Sequence, residues 1–314
     1  MRGMVDATAT MMMEQPAPAG WHEPVLVDAV GQWLAPRPGA VLVDGTTGTG
    51  GHSLALLPRL LPHGRLIAVD RDAEALDRAR LRLAEFSPQV TCLHADFRDL
   101  PARLQALGCP TVDGLLLDLG MSSPQVNAPE RGFSFLREGP LDMRMDRTQA
   151  LTAAQLVNEQ PAEELARLLE QLGEERFARR IAQGIVDARW RSLLTTTAEL
   201  ARVVAASVPP GARHGRLHPA TRVFQALRMA VNDELGALGA LLRALPEVLA
   251  PGGRAVIISY HSLEDRLVKR RFLEGAREGW GRVLTKKPVR PEQDEVRRNP
   301  RARSAKLRAI ERCG

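Results

Sequence analysis

Acids and glycines follow short apolar runs in the first part of the chain, an arrangement that suits a ligand site at the edge of a sheet. The apolar residues 41–43 are followed by Asp44 and then by a turn with four glycines: Gly45, Gly48, Gly50 and Gly51. Glycines let the backbone turn sharply and approach a ligand closely. A helix predicted over residues 52–61 would direct its first free amides into the same crevice. The pattern predicts a strand, a ligand-binding turn and a helix.

Two classes of cofactor use such a turn: nicotinamide dinucleotides and S-adenosyl-L-methionine. From Gly48 the sequence reads Gly-Thr-Gly-Gly-His-Ser, which lacks the third glycine of the dinucleotide fingerprint. Asp44 would repel a pyrophosphate, whereas it could accept hydrogen bonds from an amino-acid ammonium or from water around one. We therefore expect S-adenosylmethionine. For the glycine loop alone, the alternative is an ordinary tight turn.

Further acids follow the next two predicted strands. The second strand, residues 66–69, leads to Asp70, nineteen residues beyond Gly51, where a carboxylate can accept both hydroxyls of an adenosine ribose. The third strand leads to Asp96 and Phe97. We expect Asp96 to hold an exocyclic amine and the ring of Phe97 to lie on a purine face. A plain core position is the alternative for that ring.

The fourth predicted strand, residues 112–118, ends in Asp118, and a polar loop with Ser122 follows. This type of loop suits the methylation of an exocyclic base amine. Such an amine is a poor nucleophile because its lone pair is conjugated with the ring, so acceptors must hold its hydrogens and turn the nitrogen toward the methyl group. Asp118 and Ser122 are the candidate catalytic residues, and the proton can leave late without a strong base. A simple Ser-Ser-Pro turn is the alternative.

A parallel sheet would bring these residues together, because ligands of such sheets bind beyond the carboxyl ends of the strands. A fifth apolar run, residues 252–259, ends at Tyr260, and residues 283–288 and 305–310 could add two short strands. Residues 151–208 carry helix formers with apolar residues at helical spacing and no β-rich run. A further helix is predicted over residues 221–249. We predict a doubly wound α/β core with an inserted helical domain.

Length and composition indicate one large or two modest globular domains: the chain has 314 residues, of which 44% are hydrophobic. It has no run of about 18 apolar residues, so we predict no membrane span. Three cysteines without metal-ligand or redox spacing predict a cytoplasmic protein that binds no metal. Residues 1–20 contain acids and no compact apolar stretch, so we predict a disordered N-terminal tail instead of a signal peptide.

Positive charge is concentrated at the C-terminus. From Glu264 onward the chain has sixteen Lys or Arg against eight Asp or Glu, whereas everything before it has a net charge of −2. This asymmetry favours a nucleic-acid partner over a merely solvated charged face. The following arginines are predicted phosphate contacts: Arg297, Arg298, Arg301, Arg303 and Arg308.

Eight sequence blocks together match one known family. They are Asp-Gly-Thr-Thr-Gly-Thr-Gly-Gly-His-Ser at 44–53, Ala-Val-Asp-Arg-Asp at 68–72, Leu-Asp-Leu-Gly-Met-Ser-Ser-Pro-Gln at 117–125, Glu-Arg-Gly-Phe-Ser-Phe at 130–135, Gly-Pro-Leu-Asp-Met-Arg-Met-Asp at 139–146, His-Pro-Ala-Thr-Arg at 218–222, Tyr-His-Ser-Leu-Glu-Asp-Arg at 260–266 and Asn-Pro-Arg-Ala-Arg-Ser at 299–304. From about His22 to Arg312 the chain resembles the bacterial 16S ribosomal RNA cytosine-N4-methyltransferase family.

The resemblance implies a class I S-adenosylmethionine-dependent methyltransferase with a Rossmann-like, doubly wound, mostly parallel sheet. The implied reaction is methylation of N4 of a cytosine in the decoding region of 16S rRNA, within the small ribosomal subunit. Residues 21–132 and 221–314 would form the core, and residues 133–220 an inserted helical domain that recognises the rRNA. By motif position, the implied cofactor contacts are Gly50, Gly51 and His52 to the methionine part, Asp70 to the ribose, Phe97 to the adenine, and Asp118 and Gln125 beside the sulfonium.

Several alternatives stay open at this point. Gln125 stands where other amino-methylating enzymes place an aromatic residue, so the ring that stacks on the base is to be found among Phe133, Phe135 and Tyr260. A homodimer is kept as a candidate assembly. Two other functions compete with the methyltransferase. The glycine pattern and Asp44 argue against a nicotinamide-dependent oxidoreductase, and the acids at the strand ends argue against a non-catalytic RNA-binding module.

Overall fold

Seven strands form one sheet. The computed structural model describes residues 24–213 and 218–314, apart from the side chain of Ser123, so the predicted tail lies outside the described residues. The strands are β1 Val41–Asp44, β2 Arg65–Asp70, β3 Val90–His94, β4 Val112–Asp118, β5 Leu249–Ser259, β6 Gly281–Val283 and β7 Lys306–Arg312. Their order is β3-β2-β1-β4-β5-β7-β6. The sixth strand thus lies mostly before the predicted residues 283–288.

The first five strands are parallel, as predicted, and β7 is antiparallel to both β5 and β6. Val43 on β1 pairs with Ile67 on β2 and with Leu115 on β4. The parallel register brings the acids that end β1, β2 and β4 to the same edge of the sheet. Because the chain runs from β1 to one side and from β4 to the other, a crevice forms between these two strands.

Helices cover both faces of the sheet and fill the connection between β4 and β5. No described helix is long and apolar enough to cross a membrane. The α-helices are α1 Val27–Leu34, α2 Gly51–Leu56, α3 Ala73–Arg82, α4 Leu100–Ala106, α5 Ser123–Asn127, α6 Ala153–Glu159, α7 Ala162–Gly173, α8 Ala178–Arg189, α9 Thr197–Ser207, α10 Pro210–Arg213, α11 Ala220–Val231, α12 Glu234–Val248, α13 Ser262–Arg277 and α14 Gln293–Arg298. Short 3-10 segments occupy Leu57–Arg59, Ala84–Gln89, Phe97–Asp99, Pro129–Arg131 and Pro300–Ser304.

Two predicted helices differ from the observed ones for local reasons. The helix expected over residues 52–61 ends at Leu56, because Pro58 has no N–H to continue the α-helical hydrogen bonds, and a 3-10 turn follows. The helix expected over residues 221–249 is two helices, α11 and α12. Asp233 between them has a φ of +45°, a left-handed conformation that ends one helix before the next begins.

Apolar side chains form three buried clusters. Two of them lie on opposite faces of the sheet, because neighbouring strand residues point to opposite sides: Val43 belongs to one cluster and Leu42 to the other. The third cluster lies among the helices between β4 and β5 and includes Leu165, Ile181 and Leu227. Leu227 on α11, beyond the predicted boundary at residue 220, also belongs to this third cluster. The division of the chain into a core and an inserted domain at residue 220 stays a prediction.

Candidate active site

A cavity of about 350 Å³ opens where β1, β2, β4 and β5 end. This is the place where doubly wound sheets bind their ligands. Seven of the eight predicted site residues line it: Gly51, His52, Asp70, Phe97, Asp118, Ser122 and Gln125. Gly50 does not line the cavity. It has a φ of +81°, and a Cβ at this position would lie 3.4 Å from side-chain atoms of Ala79 and Leu83, so Gly50 allows the turn to pack against α3.

The glycine turn holds Asp70 at the cavity. Its Oδ2 accepts a hydrogen bond from the backbone N–H of Gly48 at 2.7 Å, and its Oδ1 accepts one from the N–H of Asp72 at 2.8 Å. Burial raises the pKa of Asp70 to about 6, although both backbone bonds lower it. A carboxylate has about four acceptor positions, so ribose hydroxyls could still donate to it.

Asp44 supports the turn from below and does not line the cavity. Its side chain accepts hydrogen bonds from the Ser53 hydroxyl at 2.7 Å and from the Thr46 N–H at 3.3 Å, and only 1% of the residue is exposed. Burial raises the pKa of Asp44. The structure corrects the expected contact between Asp44 and an ammonium, because the turn itself encloses the carboxylate.

Asp118 lies between two ring side chains at the end of β4. Its Oδ1 accepts a hydrogen bond from the Tyr260 hydroxyl at 2.7 Å, and its Oδ2 lies 3.4 Å from Nε2 of His52. Burial and then the charge of Asp118 raise the pKa of Tyr260, so its hydroxyl keeps its proton and donates. Burial lowers the pKa of His52, but the carboxylates of Asp118 and Asp44 outweigh burial and leave this pKa raised. The Asp118 carboxylate is therefore fixed in orientation at the cavity wall.

Four buried polar atoms of cavity-lining residues have no hydrogen-bond partner among the described residues. They are both ring nitrogens of His52, Nε of Arg71 and the hydroxyl oxygen of Ser122. The 3.4 Å approach of His52 to Asp118 lacks the geometry of a hydrogen bond. Since buried polar atoms in proteins are nearly always paired, these atoms point to a polar ligand. S-adenosylmethionine fits this cavity, because it carries an ammonium, a carboxylate and two ribose hydroxyls.

Gln125 joins two loops at the cavity wall. Its Oε1 accepts a hydrogen bond from the Ser122 N–H at 3.0 Å, and its Nε2 donates to Oδ2 of Asp72 at 2.7 Å. The same oxygen of Asp72 accepts a hydrogen bond from Arg131 at 2.8 Å. Gln125 thus holds the loop after β4 against the loop after β2. Its direct contact with the cofactor stays a prediction.

The structure separates the aromatic candidates. Phe97 lines the cavity and is 9% exposed. Of the three rings considered for stacking, Tyr260 lines the cavity, whereas Phe133 and Phe135 belong to the helical cluster. The ring centroid of Phe135 is 4.8 Å from that of His218. Tyr260 is therefore the one of the three that the fold brings to Asp118.

Two charged residues that were expected to bind ligands are paired within the protein. Asp96 lies 3.2 Å from both Arg71 and Arg98 and does not line the cavity. Arg308 on β7 is 6% exposed and donates a hydrogen bond to Asp265 at 2.6 Å. The expected phosphate contact of Arg308 is therefore wrong, because its guanidinium is buried and neutralised by Asp265. The expected amine contact of Asp96 stays a prediction, because a carboxylate that is paired with Arg71 and Arg98 keeps further acceptor positions.

Several cavity residues were missed in the sequence, among them Arg228, Glu234 and Glu264. Arg228 on α11 is 8% exposed, and Glu264 on α13 is 2% exposed and accepts a hydrogen bond from the Tyr260 N–H at 2.8 Å. One signal was present. Arg228 lies between the buried residues Leu227 and Met229 in a largely apolar helix. A buried arginine is almost always paired with an acidic group or a ligand.

A doubly wound sheet with a glycine turn after β1, and with acids ending β2 and β4 at one cavity, defines a class I S-adenosylmethionine-dependent methyltransferase. The sequence comparison agrees and narrows the assignment. The model of the MraW methylase family matches residues 19–313, and the chain belongs to that family.

Several relatives share one name, ribosomal RNA small subunit methyltransferase H. The chain is 48% identical to the protein of Heliobacterium modesticaldum, over 93% of this chain and 98% of that protein. It is 50% identical to the protein of Anaeromyxobacter sp. (strain K), over 93% and 97%, and 47% identical to that of Thermobifida fusca, over 99% of both. Among solved structures, a SAM-dependent O-methyltransferase from Thermotoga maritima is similar with a TM-score of 0.40 and 12% identity, over 97% of this chain and 70% of that one. The family assignment rests on the sequence relatives.

Proposed function

We propose that the chain transfers a methyl group from S-adenosylmethionine to the N4 amine of a cytosine in the decoding region of 16S rRNA, on small ribosomal subunits in the cytoplasm. The shared name of the relatives supports ribosomal RNA of the small subunit as the substrate. The eight matching blocks support the base and its region. The observation that carries the chemistry is the fixed carboxylate of Asp118, which shares one cavity with Asp70 and the unpaired hydroxyl of Ser122.

The proposed reaction needs acceptors that hold the two hydrogens of the base amine. S-adenosylmethionine supplies an electrophilic methyl group when it is bound. Asp118 and the Ser122 hydroxyl oxygen are acceptors that line the same cavity, and this hydroxyl has no hydrogen-bond partner among the described residues. By holding these hydrogens they would turn the amine lone pair toward the methyl group. The nitrogen–methyl bond would form as the sulfonium–methyl bond breaks, with S-adenosylhomocysteine as the leaving group. The proton lost from the nitrogen can pass to Asp118.

Tyr260 has two roles in this proposal. Its hydroxyl fixes Asp118, and its ring is the candidate among the three aromatic residues for contact with the target base. Gly120 has a φ of +108°, which favours glycine, and a Cβ at this position would be in van der Waals contact with the Tyr260 ring at 3.5 Å. The rest of the cavity can then hold the cofactor between Phe97 and the glycine turn.

The rRNA would be held outside the cavity by the helical segment and the basic C-terminal region. Arg301 lines the cavity and Arg303 is exposed, so both lie where an entering RNA strand could reach them. Side chains cannot read the deep, narrow major groove of A-form RNA, so the target cytosine must be unstacked and enter the cavity as a single base.

One experiment tests the reaction, the substrate and the atom together. The protein is incubated with labelled S-adenosylmethionine and, separately, with small ribosomal subunits, naked rRNA or DNA, and the products are digested to nucleosides for mass spectrometry. We expect N4-methylcytidine from rRNA. Asp118→Asn should lower its formation strongly, whereas Asp77→Asn, at a side chain that is 68% exposed on α3, should not.

Other outcomes of this experiment would contradict the proposal in distinct ways. Methylation of another atom, or of DNA, would keep the fold and overturn the substrate. Cofactor binding without transfer to any nucleic acid would favour the RNA-binding module.

A further inference from the structure

A buried ion pair forms part of the cavity wall. Arg228 on α11 and Glu234 at the start of α12 have side chains that are 10% and 11% exposed. Nε of Arg228 donates to Oε1 of Glu234 at 2.7 Å, and Nη2 donates to Oε2 at 2.8 Å. The carboxylate therefore occupies one side of the planar guanidinium with two parallel hydrogen bonds. Such a pair costs desolvation energy when it is buried, so its position at a cavity calls for a role beyond stability.

The ion pair leaves the other edge of the guanidinium without a hydrogen-bond partner among the described residues, although the charge of Glu264 also acts on Arg228. A guanidinium has five N–H donors, and Glu234 takes one from Nε and one from Nη2. Nη1 of Arg228 donates no hydrogen bond within the described residues. The remaining donors of Nη1 and Nη2 form a second planar fork, which matches a ligand with two adjacent acceptor atoms.

The backbone around Arg228 is fixed by a buried asparagine. Asn232 is 1% exposed, and its Nδ2 donates to the carbonyl oxygens of Arg228 and Met143, both at 2.8 Å. Its Oδ1 accepts a hydrogen bond from the Met145 N–H at 2.8 Å. With its backbone and one edge of its guanidinium held, Arg228 is preorganised, as a residue that selects a substrate must be.

Cytosine carries the acceptor pattern that this fork requires. Its O2 and N3 are adjacent acceptors, and the N4 amine lies directly beside them. The Watson–Crick edges of uracil, adenine and guanine lack two adjacent acceptors, because each places an N–H donor next to an acceptor. A fork on O2 and N3 leaves N4 free for Asp118 and Ser122, which line the same cavity as Arg228.

We propose that Arg228, oriented by Glu234, is a specificity-determining residue that donates hydrogen bonds to O2 and N3 of the target cytosine. This inference rests on the proposed function and names the group that selects the base. A uracil in the same place would turn its N3–H toward the guanidinium. Arg228 thus rejects uracil through an unpaired donor, which discriminates more strongly than a missing contact.

A double-mutant cycle between protein and substrate tests the contact. Small subunits are reconstituted with rRNA that carries either cytosine or 3-deazacytosine at the target, which keeps O2 and N4 but replaces N3 with C–H. Single-turnover rates are measured for the wild type and for Arg228→Met on both substrates. The analogue should slow the wild type by a factor that is at least about 10 times larger than the factor for Arg228→Met, because the variant has no donor for N3.

Matched variants separate this contact from a general effect on the fold. Arg243→Met removes an exposed arginine on α12 and should behave like the wild type in the cycle. Glu234→Gln keeps the arginine but weakens its orientation, so its cycle should show an intermediate coupling. Arg228→Lys keeps the positive charge but has no planar fork of donors, so it should also lose the coupling. It is used in the cycle in place of Arg228→Met if Arg228→Met does not fold. Calorimetric affinity for S-adenosylmethionine should stay within about threefold of the wild type in each variant.

Equal losses on the analogue in wild type and Arg228→Met would overturn the proposal. That result, together with a smaller salt dependence of subunit binding in the variant, would assign Arg228 to a phosphate instead. A loss of cofactor affinity would assign it to the cofactor. Failure of the proposed function itself would look different, since the wild type would then form no N4-methylcytidine on natural subunits.

Discussion

Replacing Asp70 by Asn should weaken the binding of S-adenosylmethionine about 10- to 150-fold at pH 8, because at least one charge-assisted hydrogen bond to the ribose, about 1.5–3 kcal/mol, is lost. Asp70 already accepts bonds from the N–H groups of Gly48 and Asp72, so its geometry is fixed before the cofactor arrives. An asparagine keeps the size of the side chain but presents one acceptor instead of two.

The same residue should make cofactor binding dependent on pH. The pKa of Asp70 is raised to about 6, and the ionised carboxylate is the better acceptor for ribose hydroxyls. At pH 5 only about a tenth of the molecules would have this carboxylate ionised, so affinity should be about 10-fold lower than at pH 8. Asp70→Asn should lack this inflection near pH 6, whereas the titration of His52 is common to both proteins.

The raised pKa of Asp70 also makes the stability of the ligand-free protein depend on pH. Because the folded pKa of Asp70 lies above the unfolded value of 3.8, its contribution to stability is fully present below pH 3.8 and is lost as the pH rises through about 6. The loss is at most about 3 kcal/mol and smaller in fact, since the side chain is partly open to the cavity. The difference in free energy of unfolding between Asp70→Asn and the wild type should therefore shift in favour of the variant between pH 4 and pH 8, as measured by urea unfolding.

Isothermal calorimetry at several pH values measures the affinity directly. Asp77→Asn on α3 serves as the control, because that carboxylate is 68% exposed and should not change affinity. If Asp70→Asn binds as tightly as the wild type at pH 8, or retains the inflection near pH 6, Asp70 is not the ribose acceptor and our placement of the cofactor fails.

Three further substitutions test the site and its surroundings. Tyr260→Phe removes the hydrogen bond that orients Asp118 and should lower the single-turnover rate about 10-fold with little change in cofactor affinity. An unchanged rate would show that this hydrogen bond is not needed for methyl transfer. Arg131→Met removes the ion-pair partner of the buried Asp72 carboxylate and should lower the free energy of unfolding in urea by about 3–5 kcal/mol. A loss below about 1 kcal/mol would count against a structural role for this ion pair. Replacing Arg301 and Arg303 together by Ala should lower the slope of log affinity for rRNA against log salt concentration by about 1–2, and an unaltered slope would remove both from the interface.

The sheet and its acids could be predicted from sequence because their signals are local. A buried parallel strand is a short apolar run such as residues 115–117, and the acid at its end is the next residue or nearly so. The edge at which the acids meet follows from parallel pairing alone. Asp70 and Asp118 were therefore placed correctly at one cavity without any knowledge of side-chain contacts.

Other charged residues could not be assigned in the same way, because side chains from other elements decide whether a charge is already paired. Asp96 is paired with Arg71, which follows β2, as well as with the nearby Arg98, and Arg308 is paired with Asp265 on another element. An acid beside a ring, or an arginine in a basic stretch, has the same local sequence whether it faces a ligand or a neighbour. Only the packing of helices on the sheet decides between these outcomes.

The connection between β4 and β5 explains how a helical segment comes to complete a site on the sheet edge. Its second-to-last helix, α11, buries Leu227 among the helices, and Arg228 on the same helix lines the cavity. Asp233, which has a left-handed backbone conformation, separates α11 from α12. Asn232 joins this turn to the segment that carries Met145, which also lines the cavity. Because directional hydrogen bonds fix this junction, the helices and the strand ends are held in one relative arrangement, which a site that must align a base amine with a methyl group requires.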